Sequence, residues 1–456
     1  MCGVFGVENN KDAANIVFQG LLSLQHRGQE SAGIISSDTK NNITRVHRGM
    51  GNVSYVFKPE YLAGLNGDIA VGHVRYATGG KSSLENTQPF WFDCKHGRVI
   101  LAHNGNIAND KQLAFMLQKT GAIFAHSSDS EHIMHMIERE KGDLETALPK
   151  ALKKLNGAYA LILLQGSKMI GVRDPHGIRS LVLGKLGKSY ILTSETIAVE
   201  LLGGKVIKEL APGEIITIQK GKIKKSYIFD KKDKAVCVFE QVYFSMPASR
   251  VQGQEVAVSR MAMGAQLARQ MKGIKADIAM PVPDSGMFAA LGFAKESGID
   301  FEQGLVRNHY MGRSFIMPTQ ELREHLVKMK LFPIKTSIMG KKIVLVDDSL
   351  VRGTTSKKIV KLLKDCGAKE VHLALSAPKV ISPCFYGIDT PTKKELMSTR
   401  MNEKDIAEFI GAESVTFIKI NNMLAAVAGN EQNKKGKCGG YCAACFTGKY
   451  PTGLKV

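Results

Sequence analysis

Residues 343–363 read IVLVDDSLVRGTTSKKIVKLL, and no other stretch limits the fold as strongly. A short apolar run suited to a strand buried on both faces ends in two adjacent acids, Asp347 and Asp348. A brief turn follows, and Gly353, Thr354 and Thr355 then open an amphipathic helix. A strand that hands over to a helix needs a crossover before its neighbour can pair, which implies a parallel sheet. The flanking segments keep the alternation: AVSRMAMGAQLARQM as helix, DIAMPVP as strand, MFAALGFAKESG as helix and EVHLALSAP as strand.

Upstream of the basic stretch FDKKDKAVC (229–237) the pattern differs. GDIAVGHVRYATGG, GRVILAHNGNI, AYALILL, KSYILTSE and GEIITIQKGKI read as strands separated by glycine-rich turns, with few helices between them. DAANIVFQGLLSLQHRG (12–28) has helical periodicity that stops at Gly28, and SDSEHIMHMIERE begins with a Ser-x-x-Glu capping box. Many strands with few helices predict packed antiparallel sheets. With 456 residues, two domains are expected, at 2–232 and 233–456.

No cationic segment leads into an apolar one at the N-terminus, and the most apolar window, AYALILLQG, is far short of a membrane span. A cytoplasmic protein with no membrane partner is expected. The net charge of +20 suits nucleic acid or a heavily anionic small molecule. The charge is spread along the chain and no nucleic-acid-binding signature is present, so the anionic small molecule is the expectation.

The chain opens MCGVFGV. With Met1 removed, Cys2 carries both a thiol and a free α-amine, with ordinary pKa values of roughly 8.5 and 8. Such an amine can act as the base for its own nucleophile. The plainer reading is a small apolar residue starting a strand. Five of the eight cysteines fall after position 365, and Cys438, Cys442 and Cys445 include a C-x-x-C that suits zinc or iron–sulfur equally. Cys94 and Cys366 read as ordinary buried cysteines. His132 and His135 share a helix face without a third ligand, which reads as a packed or solvated surface.

The turn after Asp348 and the helix that follows offer backbone N–H groups and hydroxyls to an anion. This segment resembles the fingerprint by which type I phosphoribosyltransferases bind phosphoribosyl diphosphate (PRPP). The resemblance implies PRPP contacts from Asp347, Asp348, Arg352, Gly353, Thr354 and Thr355. PVPDSG (281–286) matches the family's pyrophosphate loop, which adds Asp284 and Ser285 and places Mg²⁺ on Ser285, Asp347 and Asp348. RNHYMGRSFIMPTQELREHLVKMKL (307–331) looks like the family's mobile loop, whose Arg307, Arg313, Arg323, Lys328 and Lys330 would face the leaving pyrophosphate.

In the first half, MCGVFGV, LQHRGQESAGI, GHVRYATGG, LAHNGNI and SSDSE occur in that order and resemble the glutaminase domain of N-terminal-cysteine amidotransferases. Both motif sets together resemble the glutamine–PRPP amidotransferase family over essentially the whole chain. The resemblance implies an α+β N-terminal nucleophile hydrolase domain, an αββα sandwich of antiparallel sheets, followed by an α/β phosphoribosyltransferase domain with a parallel sheet. It implies Cys2 as nucleophile, with Asn104 and the Gly105 N–H as oxyanion donors. Arg75 and Asp129 would hold the glutamine α-carboxylate and α-ammonium, with Arg27 and His73 as positioning residues, though His73 also reads as a satisfied strand histidine. The implied reaction turns glutamine, PRPP and water into 5-phosphoribosylamine, pyrophosphate and glutamate, with ammonia passing inside the protein. Also implied are a [4Fe–4S] cluster on Cys237, Cys384, Cys442 and Cys445, feedback inhibition by purine nucleotides and a homotetramer. A PRPP sensor or nucleic-acid regulator, and a glutaminase serving another acceptor, are the competing readings. An intact Cys2 constellation counts against the first and the acidic pair against the second.

Overall fold

The computed structural model describes residues 2–76, 82–308, 331–429 and 437–454, and of the side chains in that last segment those from 439 onward. Arg313, Arg323, Lys328, Lys330 and the Cys438 side chain lie outside the described residues.

Two antiparallel sheets form the first half. One has seven strands in the order Lys205–Glu209, Val182–Leu186, Ser189–Thr193, Gly3–Glu8, Ile69–Arg75, Ser31–Asp38 and Ile43–Met50. The other has six, in the order Lys222–Ile228, Glu214–Gln219, Lys168–Arg173, Gly157–Gln165, Gly97–Ile107 and Phe90–Cys94. Strand side chains alternate between faces, and here both faces are apolar. Val4 points between the sheets toward Ile162 and Leu164, whereas Phe5 and Val7 pack with Val17 and Leu21 of the helix Ala13–Ser23. In the second sheet Leu161 and Leu163 face Ile133, Ile137 and Leu148 of the outer helices. The result is the αββα sandwich.

The second half holds a five-stranded parallel sheet in the order Asp300–Phe301, Ile278–Pro281, Lys342–Asp347, Glu370–Leu375 and Ser414–Phe417. Val344 and Val346 face the helices Val256–Gln270 and Met287–Ser297, while Ile343 and Leu345 face Thr354–Asp365 and Glu403–Ile410. The central strand is thus buried on both faces, as its uninterrupted apolar run requires.

One local expectation is corrected. The helix Asp129–Arg139 starts at Ser128, whose side chain accepts the Ser130 N–H, but Glu131 does not close the capping box. Its carboxylate instead accepts the backbone N–H groups of Ala125 and His126, at 2.8 and 2.6 Å, and so holds the preceding loop. Cys366 is buried as expected, whereas Cys94 is only half-buried at a hairpin end.

Candidate active sites

Cys2 lies immediately before the strand Gly3–Glu8, between the neighbours Ser189–Thr193 and Ile69–Arg75. That central position puts its side chain at the end of the sheet, in a small cavity also lined by Arg75, Gly105, Asp110 and Asp129. Its backbone N–H donates to Asn104 Oδ1 at 3.3 Å, and its Sγ is 3.7 Å from the Tyr76 carbonyl oxygen. Asn104 Nδ2 is buried and has no hydrogen-bond partner among the described residues. A buried unmatched donor is costly in a resting protein, and it is what a developing oxyanion needs. At Gly105 the backbone has φ +155°, and a Cβ there would come within 2.0 Å of the Ala158 carbonyl oxygen. Only glycine lets this strand approach its neighbour so closely.

Arg75 ends its strand, is nearly fully buried, and donates from Nη1 to Glu30 Oε1 at 2.9 Å. Asp129 begins its helix, where its Oδ2 accepts the Ile107 N–H at 3.0 Å and its Oδ1 lies 3.4 Å from His103 Nδ1. Burial works to raise the Asp129 pKa, but His103 and the Ile107 N–H outweigh it, and the net direction is downward. His73 sits behind the cavity, with Nε2 donating to the His103 carbonyl at 3.1 Å. Burial drives its pKa down to about 3, so it stays neutral.

Arg27 has a fully buried guanidinium. Its Nε donates to the Cys2 carbonyl at 2.9 Å, Nη1 to Glu195 Oε1 at 2.6 Å, and Nη1 and Nη2 to Glu240 at 2.9 Å each. Glu195 also accepts Ser249 Oγ and the Met246 N–H, at 2.7 and 3.0 Å. Glu240 accepts Ser245 Oγ at 2.8 Å and faces Arg179 Nη1 at 3.4 Å. The residue holding the Cys2 carbonyl is therefore clamped to carboxylates from both halves of the chain. A second crossing lies at residues 384–387. Asn106 Nδ2 donates to the Phe385 carbonyl at 3.0 Å, and a Cβ on Gly387 would come within 3.1 Å of the Gly105 backbone.

In the second half, Asp347 ends the central strand with Asp348 directly after it, and Ser285 Oγ donates to Asp347 Oδ1 at 3.1 Å. Burial first, and then the charge of Asp348, push the Asp347 pKa well up. Two crowded carboxylates and a hydroxyl are hard oxygen donors, a set that fits Mg²⁺. Gly353, at φ +72°, turns the chain into the helix Thr354–Asp365, whose first residues Thr354 and Thr355 are exposed. Arg307 Nη1 donates to Asp284 Oδ2 at 2.7 Å, and Arg352 Nη2 to Glu395 Oε1 at 2.9 Å.

Cys237 and Cys442 stand opposite each other where Val236–Cys237 pairs in parallel with Tyr441–Cys442. Burial raises the Cys237 thiol pKa to about 11. Burial, and then the neighbouring thiols, also raise those of Cys442 and Cys445 well above the ordinary value, with Cys384 within electrostatic reach of all three. Among the described residues no three His, Cys, Asp or Glu are grouped so that they could hold a metal ion.

Glu195, Glu240, Gln88 and Asp110 were not singled out from sequence. Gln88 accepts the His103 N–H at 2.7 Å and donates to Ser130 at 3.2 Å, fixing the strand that carries Asn104 against the Asp129 helix. Its position, just before Pro89 in an unremarkable turn, carries no local signal.

A sandwich built around an N-terminal cysteine, joined to a parallel sheet ending in an acidic pair, defines a glutamine amidotransferase coupled to a phosphoribosyltransferase. A glutamine amidotransferase domain family matches residues 73–200, and a phosphoribosyl transferase domain family matches residues 265–394. Amidophosphoribosyltransferase of Archaeoglobus fulgidus is 41% identical over 459 residues, covering 100% of this chain and 98% of that one. The Bacillus subtilis amidophosphoribosyltransferase is 41% identical over 453 residues, covering 99% and 94%. The structure of B. subtilis glutamine PRPP amidotransferase complexed with ADP and GMP superposes with a TM-score of 0.91, covering 99% of this chain and 97% of that one. The chain belongs to the amidophosphoribosyltransferase family, and it catalyses the glutamine-dependent amidation of PRPP in purine biosynthesis. Among the described residues no helix is long and apolar enough to cross a membrane.

Proposed function

We propose that the reaction is divided between residues 2–232 and 233–456. Cys2 attacks the glutamine side-chain amide, with its own α-amine, freed by loss of Met1, as base. Asn104 Nδ2 and the Gly105 N–H receive the oxyanion. Arg75 holds the α-carboxylate by a paired contact and Asp129 the α-ammonium. Arg27 fixes the backbone of the nucleophile and His73 the strand beneath it. The observation that carries this reading is the buried, unpartnered Asn104 Nδ2 on the same amide whose Oδ1 accepts the Cys2 N–H.

Ammonia released at Cys2 passes inside the protein to C1 of PRPP. Asp284, Ser285, Asp347, Asp348, Arg352, Gly353, Thr354, Thr355 and Lys328 bind PRPP, and exclusion of water protects the sugar from hydrolysis. Mg²⁺ on Ser285, Asp347 and Asp348 supplies positive charge to the departing pyrophosphate. A [4Fe–4S] cluster on Cys237, Cys384, Cys442 and Cys445 staples the C-terminal tail to the start of the second half without redox work. The enzyme is a cytoplasmic homotetramer inhibited by purine nucleotides. The B. subtilis relative, whose structure was solved with ADP and GMP, supports the nucleotide part.

The test measures glutamate and pyrophosphate together in anaerobically purified protein given glutamine and Mg²⁺, with and without PRPP. Equal, PRPP-dependent release is expected. Cys2→Ala abolishes glutamine use and keeps synthesis from free ammonia. Loss of both activities in a folded Cys2→Ala protein overturns the division of labour.

A further inference from the structure

We propose that Asp110 is a second carboxylate for the substrate α-ammonium and sets the preference for glutamine over amides that lack an α-amine, an inference that rests on the glutaminase reading above.

Asp110 opens the helix Asp110–Lys119, directly after the strand that carries Asn104 and Gly105, and it lines the same cavity as Cys2, Arg75 and Asp129. Its Oδ1 accepts a hydrogen bond from His132 Nδ1. The His132 ring is held edge-on to Phe124, with centroids 4.4 Å apart, and its side chain is only 9% exposed. His132 is therefore a positioning residue that fixes the Asp110 carboxylate, one helical turn beyond Asp129. Asp110 Oδ2 makes no hydrogen bond among the described residues, and the side chain, which lines the cavity, is 32% exposed.

An α-ammonium has three N–H donors to satisfy. Asp129 has part of its accepting capacity taken, since Oδ2 accepts the Ile107 N–H and Oδ1 lies 3.4 Å from His103 Nδ1. Asp110 Oδ2 supplies a further acceptor. Charge points the same way. Among the described residues Arg75 donates to Glu30 at 2.9 Å, and Asp110 and Asp129 add two carboxylates to the lining of the cavity that holds Cys2. That arrangement opposes the reaction unless the substrate brings a cation to the carboxylates. L-Glutamine does so, whereas a deaminated amide leaves both carboxylates facing the nascent oxyanion.

The experiment compares kcat/KM for L-glutamine with that for glutaramate, the same skeleton without the α-amine, in the full-length enzyme with PRPP and Mg²⁺. In Asp110→Asn the glutamine-to-glutaramate ratio falls about 10- to 100-fold, the range of one charge-assisted hydrogen bond. The loss comes mainly through KM for glutamine. Asp110→Glu restores much of the ratio, and His132→Gln lowers it by a smaller factor. Asp110→Ser, with a small polar side chain suited to a helix start, gives the same readout if the Asn variant does not fold. A ratio within twofold of wild type in a folded Asp110→Asn or Asp110→Ser protein overturns the inference. Failure of the wild type to release glutamate from glutamine defeats the glutaminase reading instead, so the two failures are distinct.

Discussion

Replacing Glu240 with glutamine tests whether the nucleophile is held by a contact between the two halves. Glu240 is fully buried, accepts both terminal nitrogens of Arg27 at 2.9 Å and Ser245 Oγ at 2.8 Å, and faces Arg179 at 3.4 Å. Glutamine keeps the shape but removes the charge, and it turns one acceptor into an NH₂ group pointed at a guanidinium. Arg27 and Arg179 are then balanced within this network by Glu195. Breaking a buried ion pair in this way costs about 3–5 kcal/mol, a large part of a typical stability of about 5–15 kcal/mol. Burial acts to raise the Glu240 pKa, but Arg27 outweighs it and the net direction is below the ordinary 4.5. Glu195 is held low likewise, against burial, by His26 and Arg27. A depressed carboxylate contributes stability that is present above its unfolded pKa and lost as pH falls through its folded pKa. Chemical denaturation should therefore show wild type well ahead of Glu240→Gln at neutral pH, with the gap closing below about pH 4.5. Arg27 also holds the Cys2 carbonyl, so glutamine-dependent synthesis should fall more than ammonia-dependent synthesis. A stability loss under about 1 kcal/mol with both rates kept would refute the argument, since it would mean the network is not a tight buried pair.

Asn104→Ala removes the unpartnered donor beside Cys2 and should lower glutamine-dependent kcat by about 10²–10³, with steady-state kinetics showing a much smaller change in KM. Gly387→Ala places a methyl within 3.1 Å of the Gly105 backbone at φ +102°. Shifts of less than an ångström at a reacting centre should cost about 10-fold in glutaminase kcat/KM, with ammonia-dependent synthesis as the internal control. Asp347 has its pKa raised by burial and by Asp348, so its ionisation destabilises the fold as pH rises from the ordinary carboxylate range through that raised pKa. In thermal melts at neutral pH, Asp347→Asn should melt above wild type without Mg²⁺, lose the stabilisation Mg²⁺ gives wild type, and make no product from either nitrogen source. A lower metal-free melting point in the variant would contradict the stated charge crowding.

What was legible in the sequence was local. The run IVLV announced a strand buried on both faces because neither face carries a polar residue, and the change from strands separated by glycine-rich turns to strand–helix alternation shows in the periodicity. The motif residues Cys2, Arg75, Asn104, Gly105 and Asp129 line or adjoin one cavity because each sits at a strand end or helix start that the sandwich brings together. The capping box at Ser128 misled in part. Glu131 has the right spacing, but two backbone donors of the preceding loop compete for its carboxylate.

The residues that join the halves left no such trace. Arg27 meets Glu240 across 213 positions of sequence, and Asn106 meets Phe385 across 279. No periodicity or spacing links partners so far apart, and a glutamate in FEQVYF or a main-chain carbonyl after Cys384 looks ordinary by itself. These contacts nevertheless reach the Cys2 carbonyl on one side of the glutaminase site and the Gly105 strand on the other. Under the roles proposed for Cys2 and Gly105, the arginine that holds the backbone of the nucleophile and the strand that carries the oxyanion donors each contact the second half of the chain. A shift of Glu240 or of residues 384–387 would reach the glutaminase site through these contacts.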